Sequence, residues 1–379
     1  MDSNNTSLVK YRKDYTPSQY LINRTELEFQ LYQEHVFVNS KLLIRLNPDS
    51  AEKALNPLEL DGVELELLEV KVDDITLSPD DYQIDKEKLT IHPVKPNFEL
   101  HTKVKIYPGK NTSLDELYLY NGKFCTQCEA EGFRKITYYL DRPDIMSEFF
   151  VSIEADKKHF PTLLSNGNLI ASADLDNGRH KADWHDPFVK PSYLFALVAG
   201  EYDCLTDQFV TMSGITIELK LFVDKGKLDQ CDFAMQSLIK SMQWDEQEFG
   251  REYDLDLYNI VAVSDFNMGA MENKGLNVFN AKYVLAKPET ATDADYANIE
   301  AIIAHEYITN GSLPHQWSNI YGMEWSTVNG DVYLAGEYSS PTDLWPFSSS
   351  FNAFYLLRTH QSGVSDCPTY DMIEPSPLS

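Results

Sequence analysis

The chain has little cysteine, little positive charge and no long apolar run. Its five cysteines, Cys125, Cys128, Cys204, Cys231 and Cys367, are sparse and odd in number, which suits a reducing compartment. Nothing approaches the roughly 18 unbroken apolar residues needed to span a bilayer. The opening segment MDSNNTSLVKYRKDY lacks the apolar stretch of a secretory signal, so the expected location is cytoplasmic. Only 32 Lys and Arg stand against 59 Asp and Glu, a net charge of −27. Such a surface repels nucleic acid and anionic lipid, and neither is expected as a partner. No internal repeat is present.

What is there is an ordinary globular composition, 43% hydrophobic and 12% aromatic in 379 residues. That argues against general disorder and allows two or three domains. Residues 1–201 are β-rich. Alternating runs such as Lys103–Tyr107, Phe149–Ile153 and Tyr193–Ala199 recur between turn signals, among them Asn47-Pro48-Asp49. Asn121-Gly122, Asn166-Gly167 and Asn177-Gly178 are predicted as tight hairpins. This spacing predicts a sandwich or saddle of antiparallel sheets. Residues 202–310 read as mixed α/β. A helix is predicted over Lys227–Gly250, where Cys231, Met235, Leu238 and Met242 recur three or four apart. A buried strand follows at Tyr258–Val263. A second helix is predicted over Asp293–Tyr307, with Ile299, Ile302, Ile303 and Tyr307 as its apolar stripe.

Residues 311–379 differ in texture. They contain one basic residue, Arg358, three of the five tryptophans and twelve serines. Two readings are open: an unusual domain, or a divergent tail that is out of frame or disordered.

Several groups could carry chemistry. Cys125 and Cys128 form a lone C-x-x-C, but a zinc ribbon needs a second pair. A thioredoxin-like site needs a helix opening at the motif, whereas the following GFRKITYYL reads as a strand. His305-Glu306-Tyr307-Ile308-Thr309 is half of an H-E-x-x-H zinc helix, in which two histidines four apart reach one ion and the glutamate polarises water. Thr309 occupies the second histidine's position, so a histidine satisfied at a helix end is the plain alternative. Glu272 sits in Gly269-Ala270-Met271-Glu272-Asn273, a small-residue turn whose backbone can approach a ligand. Gln127, Glu129 and Glu131 in Gln127-Cys128-Glu129-Ala130-Glu131 lie just before a predicted strand, and clustered carboxylates suit an ammonium group. Exposed acidic turns are also common in so acidic a chain.

The stretches FCTQCEAEGFRKITYYLDRPD, LLSNGN, DNGRH, KPSYLFALVAGEYD, MGAMENKGLNVFN and ATDADYANIEAIIAHEY occur in one order. Through them, residues 118–307 resemble the bacterial aminopeptidase N family of gluzincin zinc aminopeptidases. The resemblance implies an amino-terminal antiparallel β saddle followed by a thermolysin-like catalytic domain, here incomplete. It implies that Glu272 and Glu129 grip the free α-amino group of a peptide and that Gln127 lines the first side-chain pocket. Gly269, Ala270, Met271, Glu272 and Asn273 would lie on an edge strand where the substrate backbone adds. His305 matches the first zinc ligand and Glu306 the general base.

The departures fall on the metal. The second zinc histidine is Thr309, and the third ligand, a glutamate nineteen residues further, falls on Val328. His315 and Glu324 are the remaining donors that a loop could bring near. Asn310-Gly311-Ser312-Leu313-Pro314 is expected to end the zinc helix early. The expected family activity is therefore zinc-dependent release of amino-terminal residues, with Zn2+ as cofactor and catalysis by this chain impaired. The alternatives are a non-catalytic binder of peptide amino termini and a gene product broken within the zinc motif.

Overall fold

The structure is a computed structural model that describes residues 15–50, 54–92 and 95–309, with the backbone of three short strands beyond. The chain divides into two compact units, Met1–Ser312 and Leu313–Ser379.

In the first unit, alternation of apolar and polar residues makes long strands with one buried face. Along Val36–Leu46, for instance, Val36, Val38, Leu42 and Ile44 turn inward, the period of two that a half-buried strand requires. Eight strands form one sheet in the order Asn168–Asp174, Arg179–Lys190, Ser147–Asp156, Tyr20–Leu31, Val36–Leu46, Asn97–Ile106, Glu66–Val72, Ile75–Thr76. It is antiparallel except at Tyr20–Leu31, which runs parallel to Ser147–Asp156. The long intervening chain supplies the crossover that a parallel pair needs. A four-stranded sheet orders Thr162–Ser165, Leu197–Gly200, Lys123–Gln127 and Glu116–Tyr120. Both sheets contribute to one core. Within it Phe133 meets Tyr139 edge-on at 4.9 Å and Phe195 at 5.3 Å, the geometry that aromatic quadrupoles favour.

A five-stranded sheet follows, ordered Asp203–Val210, Thr216–Val223, Leu257–Val263, Leu276–Asn280, Ala270–Met271. Its middle is parallel, with helix α1 (Asp232–Phe249) as the crossover before Leu257–Val263. Helix α2 (Asp293–Tyr307) packs beside α1. Leu257 and Val261 face the core of the β domain, while Tyr258, Ile260 and Ala262 face α1 and α2. Burial on both faces is why this segment reads as an unbroken apolar run.

The structure refines several expectations. Helix α1 starts at Asp232, after a separate turn at Leu228–Gln230, and Gly250 caps it in the left-handed conformation. Asn121-Gly122 and Asn177-Gly178 join hairpin strands. Asn166-Gly167 does not: its flanking strands belong to different sheets, so the turn is a transfer between layers. GFRKITYYL is not a strand but a 3-10 turn, Phe133–Lys135, and a single bridge from Tyr139 to Asp61. Its aromatics are buried by packing rather than by pairing. The Tyr193–Ala199 run likewise opens with a 3-10 turn, Ser192–Leu194, before the strand begins at Leu197. In the second unit Ile320–Trp325 pairs antiparallel with Val332–Gly336, which pairs parallel with Tyr355–Leu356. The rest of the expected tail, with Val328 and His315, lies outside the described residues, as does the side chain of Glu324.

Candidate active site

Helix α2 carries the first part of the site. Thr292 caps it: its hydroxyl accepts from the Asp295 backbone N–H, while the Asp295 carboxylate accepts from the Thr292 N–H. This reciprocal pair satisfies donors that the first turn leaves open. The far end is held by Tyr307, buried against Tyr258 and donating to Asp245 at 3.3 Å. His305 and Glu306 thereby sit in the last turn over the sheet. The Asn277 amide, from the strand below, donates to the Glu306 carbonyl at 3.4 Å. Glu306 is 5% exposed, and its Oε2 has no hydrogen-bond partner among the described residues.

The sheet edge carries the second part. Ala270–Met271 pairs antiparallel with Val278 and Phe279, and the Gly269 carbonyl accepts from the Asn280 N–H at 2.9 Å. Glu272 follows at once. The Asn273 carbonyl then accepts from the Leu276 N–H at 2.9 Å, and Gly275 turns with φ +76°. Gln127 ends a strand of the β domain, with its amide nitrogen 3.8 Å from the Met271 sulfur. Its Oε1 is buried without a partner among the described residues. Glu129, two residues on, is exposed. Gln127 thus meets the 269–273 segment by contact, and Glu129 meets it through charge.

The electrostatics show which groups share a site. Burial raises the Glu306 carboxyl well above its ordinary value, and the charges of Glu272 and Glu129 raise it further. Glu272 is pushed up to about 7, first by burial, against a hydrogen bond from its own backbone, and then by Glu129. Glu129, though exposed as a residue, is itself raised by partial desolvation of its carboxyl. Three carboxyls from three elements therefore feel one another, and among the described residues no Lys or Arg pairs with any of them. Tyr193 also belongs to this site: burial raises its phenol, and the charges of Glu272 and Glu129 add to that. Sequence reasoning missed Tyr193. The available signal was the place of Tyr193 inside KPSYLFALVAGEYD, a stretch that carries the resemblance, although Tyr193–Ala199 itself reads as a strand.

The metal half is sparser. Burial lowers His305 to about 4, which keeps its imidazole neutral, the form that a metal ligand requires. Thr309, one turn on, donates its hydroxyl to the His305 carbonyl at 2.8 Å. That back-bond satisfies the helix end and turns the hydroxyl onto the backbone. A neutral hydroxyl so engaged does not replace an imidazole. The described donors, one histidine and a carboxyl that burial drives toward its protonated form, do not fit a tetrahedral zinc centre.

Comparison with known proteins bears on both halves. The family model for the Peptidase M1 N-terminal domain matches residues 16–194, and that for the Peptidase family M1 domain matches residues 233–327. The second match runs past Thr309 and stops short of Val328. Aminopeptidase N of Caulobacter vibrioides is 53% identical over 86% of this chain and 37% of its own length. Aminopeptidase N of Haemophilus influenzae is 50% identical over 97% of the chain and 42% of its own length. The crystal structure of Legionella pneumophila aminopeptidase A in complex with aspartic acid superposes with a TM-score of 0.75 at 32% identity, over 79% of this chain and 35% of that one. The chain thus spans about two-fifths of the length of these relatives. Two matched models of one family, in order and over most of the described residues, establish that this chain belongs to peptidase family M1.

Proposed function

We propose that this chain carries the amine-recognition half of an aminopeptidase N type site and holds peptides by their free amino terminus, with hydrolysis impaired. The observation that carries this reading is the trio Glu129, Glu272 and Glu306, mutually repelling and without a basic partner among the described residues. An α-ammonium group is the small cation that would relieve it, and an internal peptide bond has none to offer. The edge strand Ala270–Met271 leaves a place for an extended peptide backbone beside Gly269 to Asn273. Gln127 and Tyr193 would then border the first residue's side chain.

The family activity is metal-dependent hydrolysis, and the matched relatives are named as aminopeptidases. His305 would supply one zinc ligand and Glu306 the base, but Thr309 removes the second ligand. Burial and neighbouring charge also favour the protonated form of Glu306, which is too weak a base to take a proton from water. Retained recognition with weak or absent turnover follows. A reducing, cytoplasmic setting is supported by Cys125, Cys128, Cys204 and Cys231, all unpaired. No described helix is long and apolar enough to cross a membrane, and the net charge of −27 disfavours nucleic acid.

The test is calorimetry of the full chain with a dipeptide, free and N-acetylated. Binding of the free form only is expected. Equal affinity for the two forms would sink the reading, and turnover of amino-acid anilides with one tightly held zinc would sink the claim of impairment.

A further inference from the structure

The loop that carries Glu272 is held from outside its own sheet. Upstream of it, the Asn267 amide donates to Asp115 at 2.7 Å and the Asn121 amide to Asp265 at 3.1 Å. Downstream, one carbonyl takes two donors from the β domain: Lys274 O accepts from the Asn166 side chain at 3.1 Å and from the Gly167 N–H at 3.3 Å. Asn166 also donates to the Leu194 carbonyl at 3.0 Å and accepts from the Ala196 N–H at 2.7 Å. Its amide therefore ties together the residue after Tyr193 and the residue two after Glu272. Only a carboxamide offers two donors and an acceptor in one plane.

The fit is close as well as bonded. Gly167 has φ +80°, and a Cβ there would lie 2.2 Å from the His185 carbonyl. A Cβ on Gly275 would lie 2.8 Å from the Gly167 nitrogen. Two glycines thus let backbone meet backbone where the Asn166 amide reaches across.

We propose that Asn166 and Gly167 are positioning residues for Glu272, clamping the Lys274 carbonyl so that the anchor carboxylate keeps its distance from Tyr193 and Glu129. The clamp explains why Asn166-Gly167 is a transfer between layers rather than a hairpin. It rests on the reading of Glu272 as an amine anchor, and its test separates the two.

Asn166→Asp keeps the acceptor for Ala196 and loses both donors. Asn168→Ala is the control, since Asn168 bonds Asp256 through both ends of its amide, at 2.9 Å each, and does not touch the anchor loop in these bonds. Hydrogen exchange of the full chain is expected to quicken about tenfold in Asn166→Asp at the Leu276 and Asn280 amides, which close on Asn273 and Gly269, and not in the control. The preference for free over acetylated dipeptide falls about tenfold, with affinity for the acetylated form unchanged. Unchanged exchange at those two amides, equal effects in both variants, or an intact preference overturns the clamp. If Asn166→Asp does not fold, Asn166→Ser, too short to reach Lys274, is read in the same way. A wild-type chain with no preference overturns the amine reading instead, and exchange alone then judges the clamp.

Discussion

Replacing Glu272 with glutamine is expected to make the protein more stable and worse at its task. Burial and Glu129 hold this carboxyl at about 7, against an ordinary 4.5. At 1.36 kcal/mol per unit, the ionised form is disfavoured by ~3 kcal/mol in the folded chain. A raised acid pKa means that the folded state keeps a proton the unfolded chain has lost. Its contribution is therefore intact below about 4.5 and disappears as pH climbs towards 7. Glu272→Gln keeps the shape and removes the charge, so it recovers much of that ~3 kcal/mol at pH 8 and little at pH 4.5. Urea denaturation of the wild-type and variant chains at the two pH values measures it. The same substitution should abolish the preference for a free over an acetylated peptide. A stability difference that is equal at both pH values would refute the electrostatic account, because a packing effect carries no such slope.

Three further outcomes follow from the same geometry. Binding of a free dipeptide should tighten as pH rises towards about 7, as Glu272 ionises, while an acetylated dipeptide shows no such trend in calorimetry. Thr309→His places a second imidazole one helical turn from His305, and zinc affinity measured against a chelator should rise about tenfold or more; no change would mean that the helix end is not shaped for a metal. Phe133→Ala, at the centre of the contacts with Tyr139, Phe149 and Phe195, should cost about 3–5 kcal/mol of unfolding free energy, read as a lower urea midpoint, without altering the amine preference, since it empties a fully buried site.

Local pattern made much of this fold legible. The 3.6-residue period located helix α2 closely, and the structure adds the Thr292–Asp295 capping box that fixes its start. Alternation likewise located Ser147–Asp156 within a few residues. Failures occurred where tertiary packing overrode local preference. Asn166-Gly167 has hairpin chemistry, yet its partners are Lys274, Leu194 and Ala196, 28 to 108 positions away. The aromatics of GFRKITYYL alternate enough to suggest a strand, but Phe133 and Tyr139 are buried by ring packing. Resemblance nominated Gln127, Glu129, Glu272, His305 and Glu306, and only the fold showed that Glu129, Glu272 and Glu306 share one field. Tyr193 stayed hidden because its part in the site is a charge relation with residues far along the chain.

The two halves of the site rest on different scaffolds, and this decides what the substitution at Thr309 can damage. Glu129 and Gln127 hang from the β domain, and Glu272 hangs from a sheet edge tied to that domain by Asp115, Asn121 and Asn166. The Leu257–Val263 strand is buried on both faces by residues before 309. Among the described residues, none of these supporting bonds involves Thr309, whose hydroxyl donates back to the His305 and Glu306 carbonyls of the preceding turn. On the proposed reading, a threonine at position 309 therefore leaves the support of Glu129 and Glu272 unchanged. Burial first, and then the charges of Glu272 and Glu129, drive Glu306 towards its protonated form. On the same reading, a bound ammonium group would offset part of the repulsion among these carboxyls, which gives the proposed amine site a physical reason to hold a peptide's amino terminus whatever happens at the metal.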